Sequence, residues 1–400
     1  MRPSALAVVA FVAAALGATA VLVVGSLAGW LSDDGGTRTV VVPTVAGDTG
    51  PRGPDSVAAP LVGNGFDPAR IYASRSKGVV TIYSYYANGQ RSQGSGFVVS
   101  AAGHVLTNSH VVTDAGAGST VRAASKVYVV FADGDRIPGS IVGWDLFDDV
   151  GLVKVDPRDH AVSPLPLGNS SRVVVGEPVA AIGSPFGEES SLAVGVVSAT
   201  ERSIASLTSA YDVSGAIQID APINHGNSGG PLLDARGRVI GLTAQIRSDS
   251  GNAEGVGFAI PINAARRSME QLISTGKVAY AYVGVTTQDV TPALARRYKL
   301  GASRGALIQT VVKNAPAALA GLHGATDPEV VFNGIGIGLG GDLIVAFAGK
   351  PVQRAADVAR IVTNSLLPGD TVAVTVLRGG KGKRQTVRLR LVERPLNPAG

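Results

Sequence analysis

At 400 residues with 45% hydrophobic side chains, the chain is long enough for about two domains with sizeable cores. It has no cysteine, which excludes a thiol nucleophile, disulfide staples and thiolate metal sites. A net charge of +5 and a pI of 9.4 invite a nucleic-acid partner. However, the basic cluster Arg378, Lys381, Lys383, Arg384, Arg388 and Arg390 carries no interleaved aromatics to stack on bases, so no nucleic acid is expected.

The first element is the uncharged run from Ala5 to Leu31, with Arg2 before it and Asp33 and Asp34 after it. As a helix it would measure about 40 Å against a hydrocarbon core of about 30 Å, and it exceeds the ~7–15 apolar residues of a secretory signal. Residues 1–31 are therefore read as a cytoplasmic N-terminus and single-pass membrane anchor over 5–31, oriented by Arg2. The alternative is a signal cleaved near Ala18-Thr19-Ala20 and a secreted protein. Residues 32–67 are rich in Gly, Pro, Asp, Ser and Thr and read as a flexible linker.

Between residues 78 and 262, short β-rich runs alternate with Gly, Asp, Asn and Pro turns. The stretch Gly226-Asn227-Ser228-Gly229-Gly230-Pro231 places a serine between glycines, where a strained turn exposes the hydroxyl and aims backbone N–H groups at a developing oxyanion. A serine needs a base, and the base needs an orienting partner. Of the five histidines (His104, His110, His160, His225 and His323), His110 stands out, at the end of the apolar strand Val105-Leu106-Thr107. The acidic pair Asp148-Asp149 precedes the apolar run Val150-Gly151-Leu152-Val153, and spacing alone does not separate the two neighbours. Gly226–Gly230 also fits the G-x-S-x-G elbow of α/β-hydrolases, but that fold needs the order serine, acid, histidine, and here histidine and acid come first.

Thr107-Asn108-Ser109-His110-Val111, Asp149-Val150-Gly151-Leu152-Val153-Lys154 and Gly226-Asn227-Ser228-Gly229-Gly230-Pro231 resemble the three catalytic blocks of the HtrA/Deg serine proteases. Gly94-Ser95-Gly96-Phe97-Val98-Val99, Ala181-Ile182-Gly183-Ser184-Pro185-Phe186-Gly187 and Gly255-Val256-Gly257-Phe258-Ala259-Ile260-Pro261 extend the likeness, which covers roughly residues 68 to 393. Gly151, where the family more often has alanine, His104 and His225 are departures. The resemblance implies Ser228 as nucleophile, His110 as base and Asp149, rather than Asp148, as its orienting carboxylate. Gly226, Asn227 and Ser228 would form the oxyanion hole and Ile246 would line the specificity pocket. The segment Gly241-Leu242-Thr243-Ala244-Gln245-Ile246 has no acidic residue, which points to aliphatic rather than basic side chains at the cleavage site.

Ile262 to Gly276 has helical spacing, with Ile262, Ala265, Met269, Leu272 and Ile273 along one side. The blocks that follow, from Ala281-Tyr282-Val283-Gly284-Val285 to Gly341-Asp342-Leu343-Ile344-Val345, resemble a PDZ domain. That likeness implies capture of peptide C-termini by β-augmentation, with Tyr282, Val283, Gly284 and Val285 as the carboxylate-binding loop and Val358, Ile361 and Val362 on the groove helix. Residues 323–340 insert into the shorter form of the domain. His323, Asp327 and Glu329 within them are weak as metal ligands and read as a solvated loop.

The expected architecture is mainly β: an N-terminal transmembrane helix (1–31), a linker (32–67), a chymotrypsin-like double β-barrel (68–276), a PDZ domain (281–393) and a tail (394–400). No cofactor or metal is expected. The resemblance further implies unfolded or damaged envelope proteins as substrates, regulation through peptide C-termini, and a homotrimer. A non-proteolytic chaperone or scaffold and a protease for one membrane partner are the alternatives.

Overall fold

The computed structural model describes residues 65–115, 121–184, 191–223, 226–244 and 256–396. The expected anchor over 5–31, Ile246 and His225 lie outside these residues. Among the described residues, no helix is long and apolar enough to cross a membrane.

The described chain opens with helix α1 (Pro68–Arg75), started by Pro68 and by Asp67, whose side chain accepts the Arg70 N–H at 3.0 Å. Six antiparallel strands follow: β1 (Val79–Tyr85), β2 (Arg91–Val98), β3 (His104–Thr107), β4 (Lys126–Val130), β5 (Arg136–Asp145) and β6 (Val150–Lys154). They close as a barrel in the order β1-β2-β3-β6-β5-β4, with the one-turn helix α2 (Ser109–Val112) directly after β3. A second barrel closes as β10-β11-β12-β9-β8-β7 from β7 (Pro178–Gly183), β8 (Ser191–Ala205), β9 (Asp212–Ile219), β10 (Pro231–Leu233), β11 (Val239–Ala244) and β12 (Gly257–Pro261).

Strand alternation divides the apolar residues of β2, β3 and β6 between two cores. Side chains on one face, Val98, Val105 and Val153, fill the first barrel. Those on the other face, Phe97, Leu106 and Leu152, join Ile182, Leu233, Leu242 and Ile260 in a core shared between the barrels. Each such buried side chain contributes roughly 1.5–3 kcal/mol to the seam between the barrels.

Helix α3 (Ile262–Thr275) closes this seam and ends at Gly276, which adopts φ 74°. It differs from the expected face in two residues. Ile273 is 49% exposed, whereas Ser268 is fully buried because its hydroxyl donates to Asp145 Oδ2 at 2.6 Å.

The last module carries β13 (Ala281–Tyr282), β14 (Val285–Val290), α4 (Pro292–Tyr298), β15 (Gly305–Val311), α5 (Pro316–Leu319), β16 (Glu329–Phe332), β17 (Ile335–Gly338), β18 (Leu343–Phe347), β19 (Lys350–Pro351), α6 (Ala355–Ser365), β20 (Thr371–Leu377), β21 (Arg384–Arg390) and β22 (Val392–Glu393). Its main sheet runs β14-β15-β18-β20-β21, with β19 on β18, and β13 pairs with β22. The insertion read as a solvated loop instead folds into the hairpin β16–β17, anchored by Phe332 edge-on to Tyr298 and by Gln309, which exchanges hydrogen bonds with Gly338.

Candidate active site

Register brings the first two candidate residues together. Thr107 on β3 pairs with Gly151 on β6, so the chain leaving β3 and the chain entering β6 meet at one end of the same ladder. Gly151, a departure from the family pattern, lies where a Cβ would stand 2.8 Å from Asn108 O and 3.0 Å from Val112 Cγ2, so α2 packs directly on it.

Asp149 lies in the β5–β6 turn with φ 51°, a left-handed conformation that aspartate tolerates better than most residues. Its carboxylate is buried and fully occupied. Oδ1 accepts the Ser109 hydroxyl at 2.7 Å and the His110 N–H at 3.0 Å, and Oδ2 pairs with His110 Nδ1 at 2.7 Å. Its backbone carbonyl takes Asn108 Nδ2 at 2.8 Å. Burial works against a charged His110, but the charge of Asp149 and its hydrogen bond outweigh it and hold the imidazole above its ordinary pKa of 6.5.

Asp148 points elsewhere: its Oδ2 meets Arg267 Nη2 at 2.9 Å and Tyr280 Oη at 2.7 Å. Tyr280 Oη also lies 2.5 Å from Asp145 Oδ2. A phenol has one proton to give, so one of these contacts becomes a hydrogen bond when a carboxyl supplies the other proton. Burial first, and the neighbouring Asp148 charge second, push Asp145 up to about 6.

Ser228 stands in the turn before β10. Gly229 adopts φ 89°, and a Cβ there would collide with Ser95 O and Thr107 Oγ1, so the turn requires glycine on both counts. The carbonyls of the turn are tied down: Gly226 O accepts Ser95 Oγ at 2.6 Å, Asn227 O accepts Thr243 Oγ1 at 2.6 Å, and Ser228 O accepts the Ser95 N–H at 2.8 Å. Because carbonyl and following N–H point oppositely across a trans peptide, anchoring Asn227 O aims the Ser228 N–H away from Thr243. Ser228 Oγ is buried and has no hydrogen-bond partner among the described residues, so the bond to a base that attack requires is not made there.

The sequence blocks contain Ser95, Ser109 and Thr243, but nothing in local pattern marks them. Their signal is a hydroxyl residue inside an otherwise apolar or glycine-flanked strand end.

In the last module, Val283 O accepts the Ala317 N–H and Gly284 O the Val312 N–H, each at 2.9 Å. The N–H groups of Gly284 and Val285 are thereby turned away from these contacts, as a carboxylate-binding loop needs. Gly284 has φ 79°, and a Cβ there would strike the Ala315 Cβ. Tyr282 is half-buried on β13. Helix α6 packs along β14 and β15, and Val358, Ile361 and Val362 all face the module's core. Among the described residues, no group of three or more histidines, aspartates and glutamates could hold a metal ion.

The chain matches the trypsin-like peptidase domain over residues 94–242 and the PDZ domain over residues 281–391. A Chlamydia trachomatis protein described as a probable periplasmic serine endoprotease, DegP-like, is 39% identical over 289 residues, covering 72% of this chain and 52% of that protein. An Ectopseudomonas mendocina protein of the same description is 37% identical over 299 residues, covering 75% and 56%. The chain thus spans about half the length of the curated relatives it matches. Among solved structures, the HtrA-type protease AlgW with tripeptide is 30% identical with a TM-score of 0.67, covering 82% of this chain and 98% of that one.

Proposed function

We propose, for a chain that belongs to the HtrA/Deg protease family, that it is an extracytoplasmic serine endopeptidase tethered to the membrane through residues 5–31. Its substrates are unfolded or damaged envelope proteins, its catalytic unit is a homotrimer, and peptide C-termini regulate it at the PDZ domain. The observation that carries this reading is the occupied Asp149 carboxylate, which holds His110 Nδ1 at 2.7 Å, together with the glycine turn that carries Ser228.

In the reaction, Ser228 Oγ attacks the scissile carbonyl as its proton passes to His110 Nε2. Asp149 keeps the Nδ1 proton in place and stabilises the imidazolium. The amides of Gly226 and Ser228 receive the oxyanion, with Asn227 beside them. His110 then returns the proton to the leaving amine, and a water repeats the sequence on the acyl-enzyme. Ile246 lines an apolar specificity pocket in this scheme. Tyr282, Val283, Gly284 and Val285 take the ligand carboxylate, and α6 forms the opposite groove wall.

The Ser228 hydroxyl, without a partner among the described residues, favours as a second reading a resting state in which the chain binds unfolded proteins without cutting them. Cleavage of unfolded casein by the full chain, beside Ser228→Ala and with or without peptides ending in apolar residues, separates the two. Ser228-dependent cleavage accelerated by peptide supports the protease. Casein binding by both proteins with no cleavage under any condition supports the scaffold.

A further inference from the structure

Ser95 is fully buried on β2 between two glycines, and all of its polar atoms are engaged. Its N–H donates to Ser228 O at 2.8 Å, and its carbonyl accepts Thr107 Oγ1 at 2.7 Å. Its hydroxyl accepts the Ser184 N–H at 2.8 Å and donates to Gly226 O at 2.6 Å. The roles of the hydroxyl are forced, because an amide can only donate and a carbonyl can only accept. Flanking side chains are excluded by the same closeness: a Cβ on Gly94 would stand 3.1 Å from Ser228 O and one on Gly96 3.0 Å from Leu106 O.

We propose that Ser95 is a positioning residue of the oxyanion turn, its hydroxyl locking the Gly226–Asn227 peptide plane and bridging that turn to the end of β7. Gly226 has φ 96°, and a glycine flanked by another flexible turn residue holds no preferred ψ by itself. Anchoring its carbonyl removes rotation about ψ of Gly226, while Thr243 fixes the next plane through Asn227 O. Of the two hydroxyls, one from each barrel, that of Thr243 holds the plane carrying the Ser228 N–H and that of Ser95 holds the plane before it, so the Ser228 amide keeps its aim at the oxyanion. The same hydroxyl thereby ties Ser184, just after β7, to Gly226 in the turn. The inference rests on the oxyanion assignment given under the proposed function.

Ser95→Ala removes both bonds, and Ser95→Cys keeps a side chain of similar shape with a much weaker donor. The oxyanion is bound only as charge develops, so the loss belongs in kcat. Steady-state casein cleavage by the full chain is expected to show kcat down by about 10- to 100-fold in both variants, short of the ~10²–10³ for deleting a donor outright. KM should stay within about twofold, and the acid limb of the pH profile, set by His110, should not move. If the alanine variant fails to fold, the cysteine variant carries the test alone. A folded variant that keeps wild-type kcat, a rise in KM that accounts for the loss, or a shifted acid limb would each overturn the role of Ser95. Absence of Ser228-dependent cleavage in the wild type would instead overturn the triad reading beneath it.

Discussion

Asp149 combines a left-handed backbone with a carboxylate that accepts from Ser109, the His110 amide and His110 Nδ1, so it fixes both where the imidazole sits and which nitrogen carries the proton. Asp149→Asn keeps the shape of the side chain but lets an amide face Nδ1, which selects the wrong tautomer. We expect kcat for casein to fall by about 10⁴ with little change in folding, and an unimpaired variant would remove Asp149 from the machinery. The same carboxylate raises the His110 pKa, and the reaction needs the neutral ring. Activity should therefore rise with pH through a midpoint above 6.5, measured as kcat/KM between pH 5 and 9, and a midpoint at or below 6.5 would contradict the pairing. His110, Asp149 and Ser228 stood out as candidates in the sequence because each lies near an apolar strand with polar or glycine neighbours. The roles of Ser95 and Thr243 were not legible there, since a hydroxyl in a strand acquires its meaning only from the carbonyl that the fold brings to it.

At the scale of elements, the periodicity of Ile262 to Gly276 gave the helix α3 and most of its buried face, but two positions went the other way. A 3.6-residue repeat marks an apolar side without knowing that a buried carboxylate waits opposite Ser268, so Asp145 drew the serine inward and left Ile273 at the edge. The insertion at 323–340 was misread for a related reason. Its glycines signal turns, while the contacts that make it a hairpin, Phe332 on Tyr298 and Gly338 on Gln309, are remote in sequence. The segment Tyr282–Val285 could be proposed as a ligand loop only by resemblance, but its glycine has a physical reason in the fold. Gly284→Ala forces a Cβ onto Ala315 at φ 79°, and we expect the full chain to bind a fluorescent peptide with an apolar C-terminus at least about tenfold more weakly. Unchanged anisotropy titrations would mean that the peptide docks elsewhere.

Across the whole molecule, Tyr280 and Arg267 bind the final module to the two barrels. Tyr280 reaches Asp145 and Asp148, and Arg267 spans from Asp148 to Asn364 on α6 at 2.9 Å on each side. Replacing Tyr280 by Phe removes the one phenol proton that two buried carboxylates share, and a loss of about 1–3 kcal/mol in urea unfolding is expected. Two carboxylates sharing one phenol proton also make the joint sensitive to pH. Burial and Asp148 raise the folded-state pKa of Asp145 from 3.8 to about 6, so between these values the folded chain keeps a proton that the unfolded chain has released. Stability contributed by this group is therefore present below pH 4 and is lost as pH rises through about 6, by on the order of 1–3 kcal/mol. His110 acts in the same direction at higher pH, its stabilisation being present below 6.5 and lost as pH rises through its raised folded value. Asp357 opposes them at the acid end. Burial there is outweighed by hydrogen bonds from Arg360, Gln353 and Arg354, so its stabilisation is present above 3.8 and lost as pH falls through its lowered value. Asp145→Asn, which imitates the protonated acid, should gain stability relative to wild type as pH is raised from 4 to 7, and a difference constant over that range would show that Asp145 is ionised throughout.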